Sequence, residues 1–416
     1  MRPDIPGNSA THTWPPHAIE RRDWHQSMRG GNREDRMLRH VDVSVPPRIA
    51  GLAATVGTDL TASTESALVE IASTDADARS HSQAMGRFLL RTESAASSKI
   101  ERVSASVGDF ARALAGSRAN TSATSMVAAS AALLRLVRRA GESGSIQLDD
   151  LLAAHRDLMA DDRAEADYAG RLRDMQNWIG GSDHSPRGAL FVPPPPDLVP
   201  DLLVDLLTWA SRDDVPVMVQ AAITHAQFES IHPFTDGNGR IGRALISAVL
   251  RRRGVARNVV IPLASGLLAV RDEYFAALTA YRAGDVAPIV EIIALSARVA
   301  SVESRASMDE LRALPAEWRK QLTGRRSPVA ERVIEALIDD PVMRAEDIVT
   351  VSGAPTSAAY NAIDRLTDAG IITEITGRKR DRVWAATDAL GELEELDRRI
   401  QASMTREYRA LRASTS

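Results

Sequence analysis

The segment from His232 to Arg243 reads HPFTDGNGRIGR and brings together several groups that can do chemistry. The imidazole of His232 can accept a proton at neutral pH, because its ordinary pKa lies closest to neutrality. The carboxylate of Asp236 can give one hard oxygen ligand to Mg²⁺, which takes its other ligands from water and substrate phosphates. Gly237 and Gly239 permit positive φ, so the backbone N–H groups around them can line a nest for an anion. These groups together suit the handling of a nucleotide.

Two arginines extend this segment at helical spacing. The next helix would begin near Gly239, so that its N-terminal dipole faces the same point. Arg240 and Arg243 are three residues apart and therefore lie on one helix face, where both can reach phosphate oxygens. The alternative is a glycine-rich loop between two core helices with solvated arginines, and the combination of base, acid and paired arginines disfavours it.

The twelve residues resemble, without a mismatch, the signature of the Fic (filamentation-induced-by-cAMP) family, and the preceding residues 225–231 are also typical of it. The resemblance implies a helical fold that transfers AMP from ATP to a protein hydroxyl. It implies that His232 deprotonates the target side chain and that Asp236 holds Mg²⁺. It also implies that Asn238, with the amides of Gly237 and Gly239, cradles the α- and β-phosphates. Arg240 and Arg243 would bind the outer phosphates.

A second element of the resemblance lies upstream, where Ser97 and Glu101 match the family's inhibitory motif, Ser/Thr-x-x-x-Glu-Gly/Asn. A glutamate that reaches Arg243 forms a charge-assisted pair and places negative charge where the γ-phosphate should lie. The chain departs from the motif because Arg102 replaces the Gly or Asn that suits a left-handed helix end. A solvated surface glutamate is the alternative interpretation.

Residues 170–196 are rich in glycine and proline, which helices do not tolerate. We predict a long loop with a short β-hairpin, in which Ala189, Leu190, Phe191 and Val192 form an edge strand. Such an edge can accept an extended peptide by β-augmentation. The resemblance implies that this hairpin, the flap, clamps the target segment above His232. A surface loop without a role is the alternative.

The roles of two aromatic residues and one histidine are less clearly indicated by the sequence than those of the motif residues. Tyr274 and Phe275 resemble the aromatic residues that flank the nucleotide base in the family, although core packing explains them nearly as well. His225 lies inside a predicted helix, and we interpret it as a core histidine rather than a catalyst.

The elements that must position these residues are predicted to be mainly α-helical. The low aromatic content of 4% favours closely packed helices built from Ala, Leu, Val and Ile. We expect a multi-helix bundle of the Fic type with the hairpin flap, followed by a winged helix-turn-helix domain. The predicted divisions are an irregular N-terminal arm over 1–45, a catalytic domain over 46–305 with the inhibitory helix near 92–102, a connector over 306–325, the winged-helix domain over 326–389 and a closing helix over 390–416.

The C-terminal pattern is three short helices followed by two strands and a basic turn, which is typical of a winged helix. The predicted recognition helix, Thr356–Thr367, carries only Arg365 as a cation, whereas DNA readers normally bring more. The wing is basic, with Arg378, Lys379, Arg380 and Arg382. The pattern leaves open a contact with DNA and a contact with protein, including a homodimer.

Composition excludes several classes of protein. The chain has 416 residues, a net charge of -4 and no cysteine, so disulfides, thiolate zinc sites and cysteine catalysis are excluded. The net charge gives no case for general binding to nucleic acid or membranes. No signal pattern and no apolar run near the roughly 20 residues of a membrane span are present. We therefore expect a cytoplasmic protein without membrane contact.

The leading hypothesis is a protein adenylyltransferase that uses ATP and a protein substrate and is inhibited by its own Glu101. Removal of AMP by the same residues, with Glu101 positioning water, is left open. The alternative is a winged-helix DNA-binding regulator whose Fic domain senses nucleotide. The intact His232 favours the enzyme, because a sensor has no need of a base.

Overall fold

Helices form most of the computed structural model, which describes residues 14–26, 30–79, 83–378 and 380–415. Within these residues there are sixteen α-helices and five short strands. The helices are α1 Arg33–Met37, α2 Thr58–Arg79, α3 Gln83–Ile100, α4 Val107–Leu114, α5 Thr121–Ser143, α6 Leu148–Met159, α7 Val199–Ala210, α8 Val217–Ile231, α9 Asn238–Arg252, α10 Leu263–Ala269, α11 Arg271–Arg282, α12 Ala287–Gln321, α13 Pro328–Asp339, α14 Ala345–Ser352, α15 Thr356–Asp368 and α16 Thr387–Thr415. The strands are β1 Ala18–Asp23, β2 His40–Val45, β3 Val342–Arg344, β4 Thr373–Glu374 and β5 Val383–Ala385. The mainly α fold class is confirmed.

Helix α8 lies at the centre of the core. Every residue from Met218 to Ile231 is buried, so this part of the helix has no solvent-facing side, and its polar residues Gln220, Thr224 and Glu229 are buried with the apolar ones. Helix α9 packs against α8 and α5 and is almost as completely buried. The loop that joins α8 to α9 is therefore held at both ends by the most buried elements of the molecule.

The N-terminal arm corrects the expectation of an irregular segment. Strands β1 and β2 pair antiparallel, with Ala18 opposite Val45 and Asp23 opposite His40. The alternation that drives this pairing is Val41 and Val43, which turn inward to pack with Trp24. Residues 1–13 and 27–29 of the predicted arm lie outside the described residues.

The flap also differs from its prediction. Ala189 to Val192 forms no strand, and its pairing with the incoming segment is limited to one antiparallel bridge between Ile179 and Phe191. Four consecutive prolines follow at 193–196, and proline has no N–H group with which to continue a ladder. The backbone N–H of Ser44 in β2 donates to the carbonyl of Val192 at 2.8 Å, so the arm supports the flap from its other end.

The predicted connector over 306–325 is wrong for most of its length, because α12 continues as one helix to Gln321. Pro315 lies inside this helix and costs one backbone hydrogen bond. Buried packing on both sides of it offsets that cost, since Leu311 and Trp318 are almost fully buried. The indole N–H of Trp318 also donates to Asp388 at the start of α16, at 3.0 Å.

The C-terminal residues follow the predicted helix-turn-helix and hairpin pattern. Helices α13, α14 and α15 and the hairpin strands β4 and β5 lie where they were expected, and β3 adds a third strand in the order β3–β5–β4. Lys379 of the predicted wing lies outside the described residues. The contact of this unit with DNA or protein stays a prediction. Across the described ranges, no helix combines the length and apolarity that a bilayer crossing would need.

Candidate active site

His232 lies at the end of α8 in the left-handed conformation, with φ of 49°. This conformation ends the helix, and the backbone N–H of His232 donates to the carbonyl of Phe228 at 2.9 Å. The ring is held at Nδ1 by the side-chain amides of Asn177 and Asn238, at 3.0 and 3.2 Å. Nε2 is therefore the ring nitrogen left to face a substrate.

The electrostatic environment keeps His232 neutral. Burial lowers its pKa to about 3, and the nearby positive charges of Arg173 and Arg282 act in the same direction. Arg173 also fixes the backbone, because its guanidinium donates to the carbonyls of His232 at 2.8 Å and Pro194 at 2.5 Å. Residues 173–180 resemble the family's approach to the flap, but no role was predicted for Arg173 itself, because contacts with distant backbone carbonyls leave no local pattern.

In the turn after His232, which we call the nest, Gly237 has positive φ as expected, whereas Gly239 does not. Gly237 has φ of 75°, and a Cβ there would lie 2.8 Å from side-chain atoms of Leu158 and Met159. The side chain of Asn238 folds back on Phe234, accepting from its N–H at 2.9 Å and donating to its carbonyl at 2.8 Å. The first N–H groups of α9 therefore open beside His232, in a position to bind an anion.

His155 of α6 supports the turn after His232, and the sequence analysis did not identify this residue. Its ring stacks on Phe234 with centroids 3.8 Å apart. Its Nδ1 accepts from the N–H of Gly170 at 2.9 Å, so its proton is on Nε2, which donates to the carbonyl of Asp236 at 3.1 Å. Burial lowers the pKa of His155 to about 4, so the ring is neutral. A histidine on the apolar face of a helix was the only available signal.

Asp236 and Arg240 form the outer wall of the nest. The carboxylate of Asp236 is 55% exposed and accepts from Arg240 at 3.2 Å. Arg240 is oriented further by Ser125, to which it donates at 2.9 Å. The described ranges hold no cluster of three or more His, Cys, Asp or Glu side chains that could bind a metal unaided. One accessible carboxylate fits a Mg²⁺ ion that takes most of its ligands from phosphates and water.

Arg243 is fully buried and is bound by the upstream helix α3. Its guanidinium donates to Glu101 at 2.9 Å, to the hydroxyl of Ser97 at 2.8 Å and to the carbonyl of Ser97 at 2.8 Å. A Cβ at position 239 would lie 1.9 Å from the Glu101 carboxylate, so Gly239 provides the space that this carboxylate occupies. The structure therefore brings Ser97, Glu101, Gly239 and Arg243 together.

The departure at Arg102 does not prevent this contact. Arg102 adopts the left-handed conformation with φ of 62°, and the N–H of Val103 donates to the carbonyl of Ser98 at 3.0 Å. These are the features of a helix end that usually carries glycine. Glu101 consequently keeps the orientation that the inhibitory motif implies.

Tyr274 requires a correction, because its ring is only 1% exposed and cannot flank a nucleotide base. Its hydroxyl is 2.8 Å from Nε2 of His225, and the phenol lies beside Arg243. The neighbouring Phe275 is 38% exposed and is the aromatic residue with an available face. His225 is fully buried, as the core interpretation expected.

Two buried carboxyl groups near Arg243 were not predicted. Burial raises the pKa of Glu229 to about 7 and that of Glu93 to about 8. Glu93 accepts from the N–H of Ala264 at 2.8 Å, which holds it in the core. Glu93 is therefore mostly protonated at neutral pH and Glu229 about half protonated, and Glu101 is the carboxylate in direct contact with Arg243.

The flap residues differ in exposure but do not alternate, and they form no regular strand. Leu190 is 86% exposed, whereas Phe191 and Val192 are buried and Ala189 packs on the cluster around Trp24. The guanidinium of Arg282 lies over the ring of Phe191, 3.6 Å from its centroid. Leu190 is therefore exposed to solvent, while Phe191 and Val192 anchor the flap to the rest of the protein.

Residues 145–250 match the model of the Fic/DOC family, and this range includes the whole of the nest. The chain contains a Fic/DOC family domain. A solved Fic family protein from Desulfovibrio desulfuricans G20 shares the fold of this Fic domain and its surroundings, with a TM-score of 0.52 and 23% identity over 80% of this chain and 97% of that one.

Curated relatives of the Fic domain are protein adenylyltransferases by name. Protein adenylyltransferase fic-1 of Caenorhabditis elegans is 32% identical over 156 residues, which are 37% of this chain and 27% of that protein. A probable protein adenylyltransferase of Aquifex aeolicus is 45% identical over 69 residues, which are 16% of this chain and 22% of that protein. The similarity to these two relatives therefore spans about a quarter of their length.

Proposed function

We propose that this protein transfers AMP from ATP to a hydroxyl side chain of a target protein. The observation that carries the proposal is a neutral histidine, His232, beside a backbone nest from which two arginines project. The names of the relatives of the Fic domain support the same reaction. A general base, an anion nest and cations for the outer phosphates are the parts that such a transfer needs.

In the proposed reaction, the target hydroxyl oxygen attacks the α-phosphorus of ATP. A bond forms between that oxygen and phosphorus, the bond from the α-phosphorus to the bridging oxygen breaks, and pyrophosphate leaves. Nε2 of His232 takes the hydroxyl proton, while the ring's own proton stays on Nδ1. The side-chain oxygen of Asn177, which is buried without a hydrogen-bond partner, accepts from that Nδ1–H once the amide is rotated. The N–H groups at the start of α9 stabilise the negative charge of the phosphates.

Mg²⁺ would be held by Asp236 together with phosphate oxygens and water. A bound magnesium ion neutralises charge on the leaving pyrophosphate. Arg240 keeps the Asp236 carboxylate in place and is available to the outer phosphates. Phe275 replaces Tyr274 as the residue that we expect against the adenine ring.

The contact between Glu101 and Arg243 supports a resting state of low activity. While Glu101 holds Arg243, the arginine is not available to the γ-phosphate, and a carboxylate occupies its place. Release of Glu101 would free Arg243 and allow ATP to align for attack. Leu190 and its neighbours on the flap would hold the target segment above His232.

The alternative role as a DNA-binding regulator has less support. The exposed residues of α15 include Asp364 and Asp368, and the single cation, Arg365, donates to the carbonyl of Thr323. Acidic side chains on a recognition helix repel the DNA backbone. The basic turn between β4 and β5 is the feature that still favours a contact between the C-terminal unit, α13 to β5, and nucleic acid.

The substitution His232→Ala tests the proposed function. We expect transfer of label from α-³²P-ATP to protein to be lost, because the hydroxyl loses its base, while calorimetry still detects ATP binding through the nest and arginines. Both measurements are made in the Glu101→Gly chain, with Arg325→Ala, at an exposed residue after α12, as the control. Unchanged labelling by His232→Ala would exclude His232 as the base, and retardation of DNA without any protein labelling would favour the regulator.

A further inference from the structure

Helix α3, which leads into Glu101, has three cationic side chains, and each of them pairs with an acidic residue from the C-terminal part of the chain. The pairs join Arg87 to Asp339 at 3.0 Å, Arg91 to Asp340 at 3.4 Å and Lys99 to Asp397 at 2.7 Å. The first two acids lie at the end of α13, and the third lies in α16. Helix α3 also packs on α9, which carries the motif arginines. It therefore connects the catalytic helix to the C-terminal elements.

The pair between Lys99 and Asp397 is the one with the most protected acid. The side chain of Asp397 is 11% exposed, compared with 41% and 54% for the other two acids. One of its oxygens accepts from Lys99, and the other is buried without a hydrogen-bond partner among the described residues. Removal of the ammonium while the helices stay in contact would leave a buried carboxylate unpaired, which is costly. The contact between α3 and α16 therefore depends on Lys99.

Lys99 also belongs to the turn that orients Glu101. Its carbonyl accepts from the N–H of Arg102 at 2.9 Å, directly after the inhibitory glutamate. Further along the chain, the guanidinium of Arg112 in α4 donates to the carbonyl of Ile375 in the C-terminal unit at 3.1 Å. Contacts with the C-terminal elements thus lie on both sides of Glu101 in the sequence. Separation of those elements would remove support from the backbone that carries Glu101.

We propose that α16, together with the C-terminal unit, keeps α3 in its inhibitory position, and that separation of α16 from α3 activates transfer. This inference rests on the proposed function, because it needs Glu101 to inhibit. In the closed state Lys99 binds Asp397 while Glu101 binds Arg243. A partner that binds the C-terminal elements better when they are separated from α3 shifts the equilibrium by its differential affinity for the two states. Binding far from the nest would thereby control Arg243.

The substitution Lys99→Met tests the proposal in the full-length chain. It removes the ammonium and keeps most of the side-chain stem, so Asp397 loses its partner. We expect the rate of label transfer from α-³²P-ATP to rise roughly tenfold, as for a lost charge-assisted hydrogen bond, and not beyond the rate of Glu101→Gly. Hydrogen exchange should become faster in α3 and stay unchanged in α8. Adding Asp397→Leu, which keeps the branched shape of aspartate, should restore the low rate, because packed apolar side chains can replace a buried ion pair.

The Glu101→Gly background separates the proposed effect from a direct effect on the catalytic site. In that background Lys99→Met should change the rate by less than about twofold, because inhibition is already absent. Glu407→Gln is the matched control, since it breaks an ion pair of α16 with Arg298 of α12 and leaves the contact with α3 in place. It should leave the rate within about twofold of the unmodified chain.

A rate for Lys99→Met within about twofold of the unmodified chain would overturn the proposal. An equal increase in the Glu101→Gly background, or an equal increase with Glu407→Gln, would overturn it as well. If Lys99→Met does not fold, as judged by circular dichroism, Asp397→Ala replaces it under the same criteria. No labelling by Glu101→Gly would instead refute the proposed transfer reaction, and the activation described here would fall with it.

Discussion

Replacement of Glu101 by glycine should raise transfer activity, and replacement of its partner Arg243 should not. The two residues form one ion pair, with 2.9 Å between Arg243 Nη2 and Glu101 Oε1. Glu101→Gly frees Arg243 to hold the γ-phosphate, so ATP can take the aligned position. Arg243→Ala also releases Glu101, but the phosphate then lacks the guanidinium that should bind it. The informative result is therefore the difference in transfer activity between Glu101→Gly and Arg243→Ala, which break the same ion pair.

The magnitude follows from the surroundings of the pair. A hydrogen bond between charged groups contributes about 1.5–3 kcal/mol, and the Glu101 side chain is 36% exposed, so solvent screening reduces its value. A contribution of about 2 kcal/mol corresponds to about thirtyfold in the ratio of closed to open states. The two bonds from Arg243 to Ser97 remain after Glu101→Gly, which makes thirtyfold an upper range for this single change.

The assay is the initial rate of label transfer from α-³²P-ATP to protein at a fixed Mg²⁺ concentration. Glu101→Gln is the control for charge, because it keeps the shape of the side chain and should activate partially. Ser97→Ala removes one uncharged contact and should activate weakly. Labelling by Glu101→Gly within a factor of two of the unmodified chain would refute the inhibitory role, and strong activation by Arg243→Ala would refute the role of Arg243 in holding phosphate.

Two further predictions concern the metal and the base. Asp236→Ala should reduce transfer and shift its dependence on Mg²⁺ to higher concentration, because the exposed carboxylate is the proposed protein ligand. Asp213→Ala on the surface is the control. An unchanged Mg²⁺ titration for Asp236→Ala contradicts the assignment. The rate at low ATP concentration should show no loss between pH 8 and pH 5.5, because burial lowers the pKa of His232 to about 3 and the neutral ring is the active form above that value. A half-loss near pH 6.5 in the Glu229→Gln background, which removes the buried carboxyl group with a pKa of about 7, would contradict the lowered pKa of His232.

The catalytic segment could be predicted from sequence because its parts are contiguous. Once a turn and a following helix are assumed, the spacing of His232, Asp236 and Arg240 determines their relative positions. The structure contains that turn and that helix, α9. Glu101 was also identified from a local pattern, although its partner lies far along the chain. In a contiguous motif the distances between side chains follow from the local backbone, and these residues could therefore be identified from sequence.

Contacts between distant segments could not be predicted in the same way. His155, Arg173 and Arg282 act on the turn and its base from other elements, and each is a single residue without a local pattern. Tyr274 was placed on the wrong side of its helix, because sequence does not tell which of two adjacent aromatic residues faces the core. The β1–β2 pairing escaped prediction since short strands depend on partners elsewhere in the chain.

The conformation of Arg102 sets how firmly the resting state is held. A side chain in the left-handed region costs roughly 1 kcal/mol more than glycine would at the same position. This cost disfavours the conformation that directs Glu101 towards Arg243, relative to any conformation in which Arg102 leaves the left-handed region. A protein with glycine here would stay closed more firmly for the same ion pair. If Glu101 inhibits transfer as proposed, this chain needs less binding energy to reach the open state than a chain with glycine at position 102.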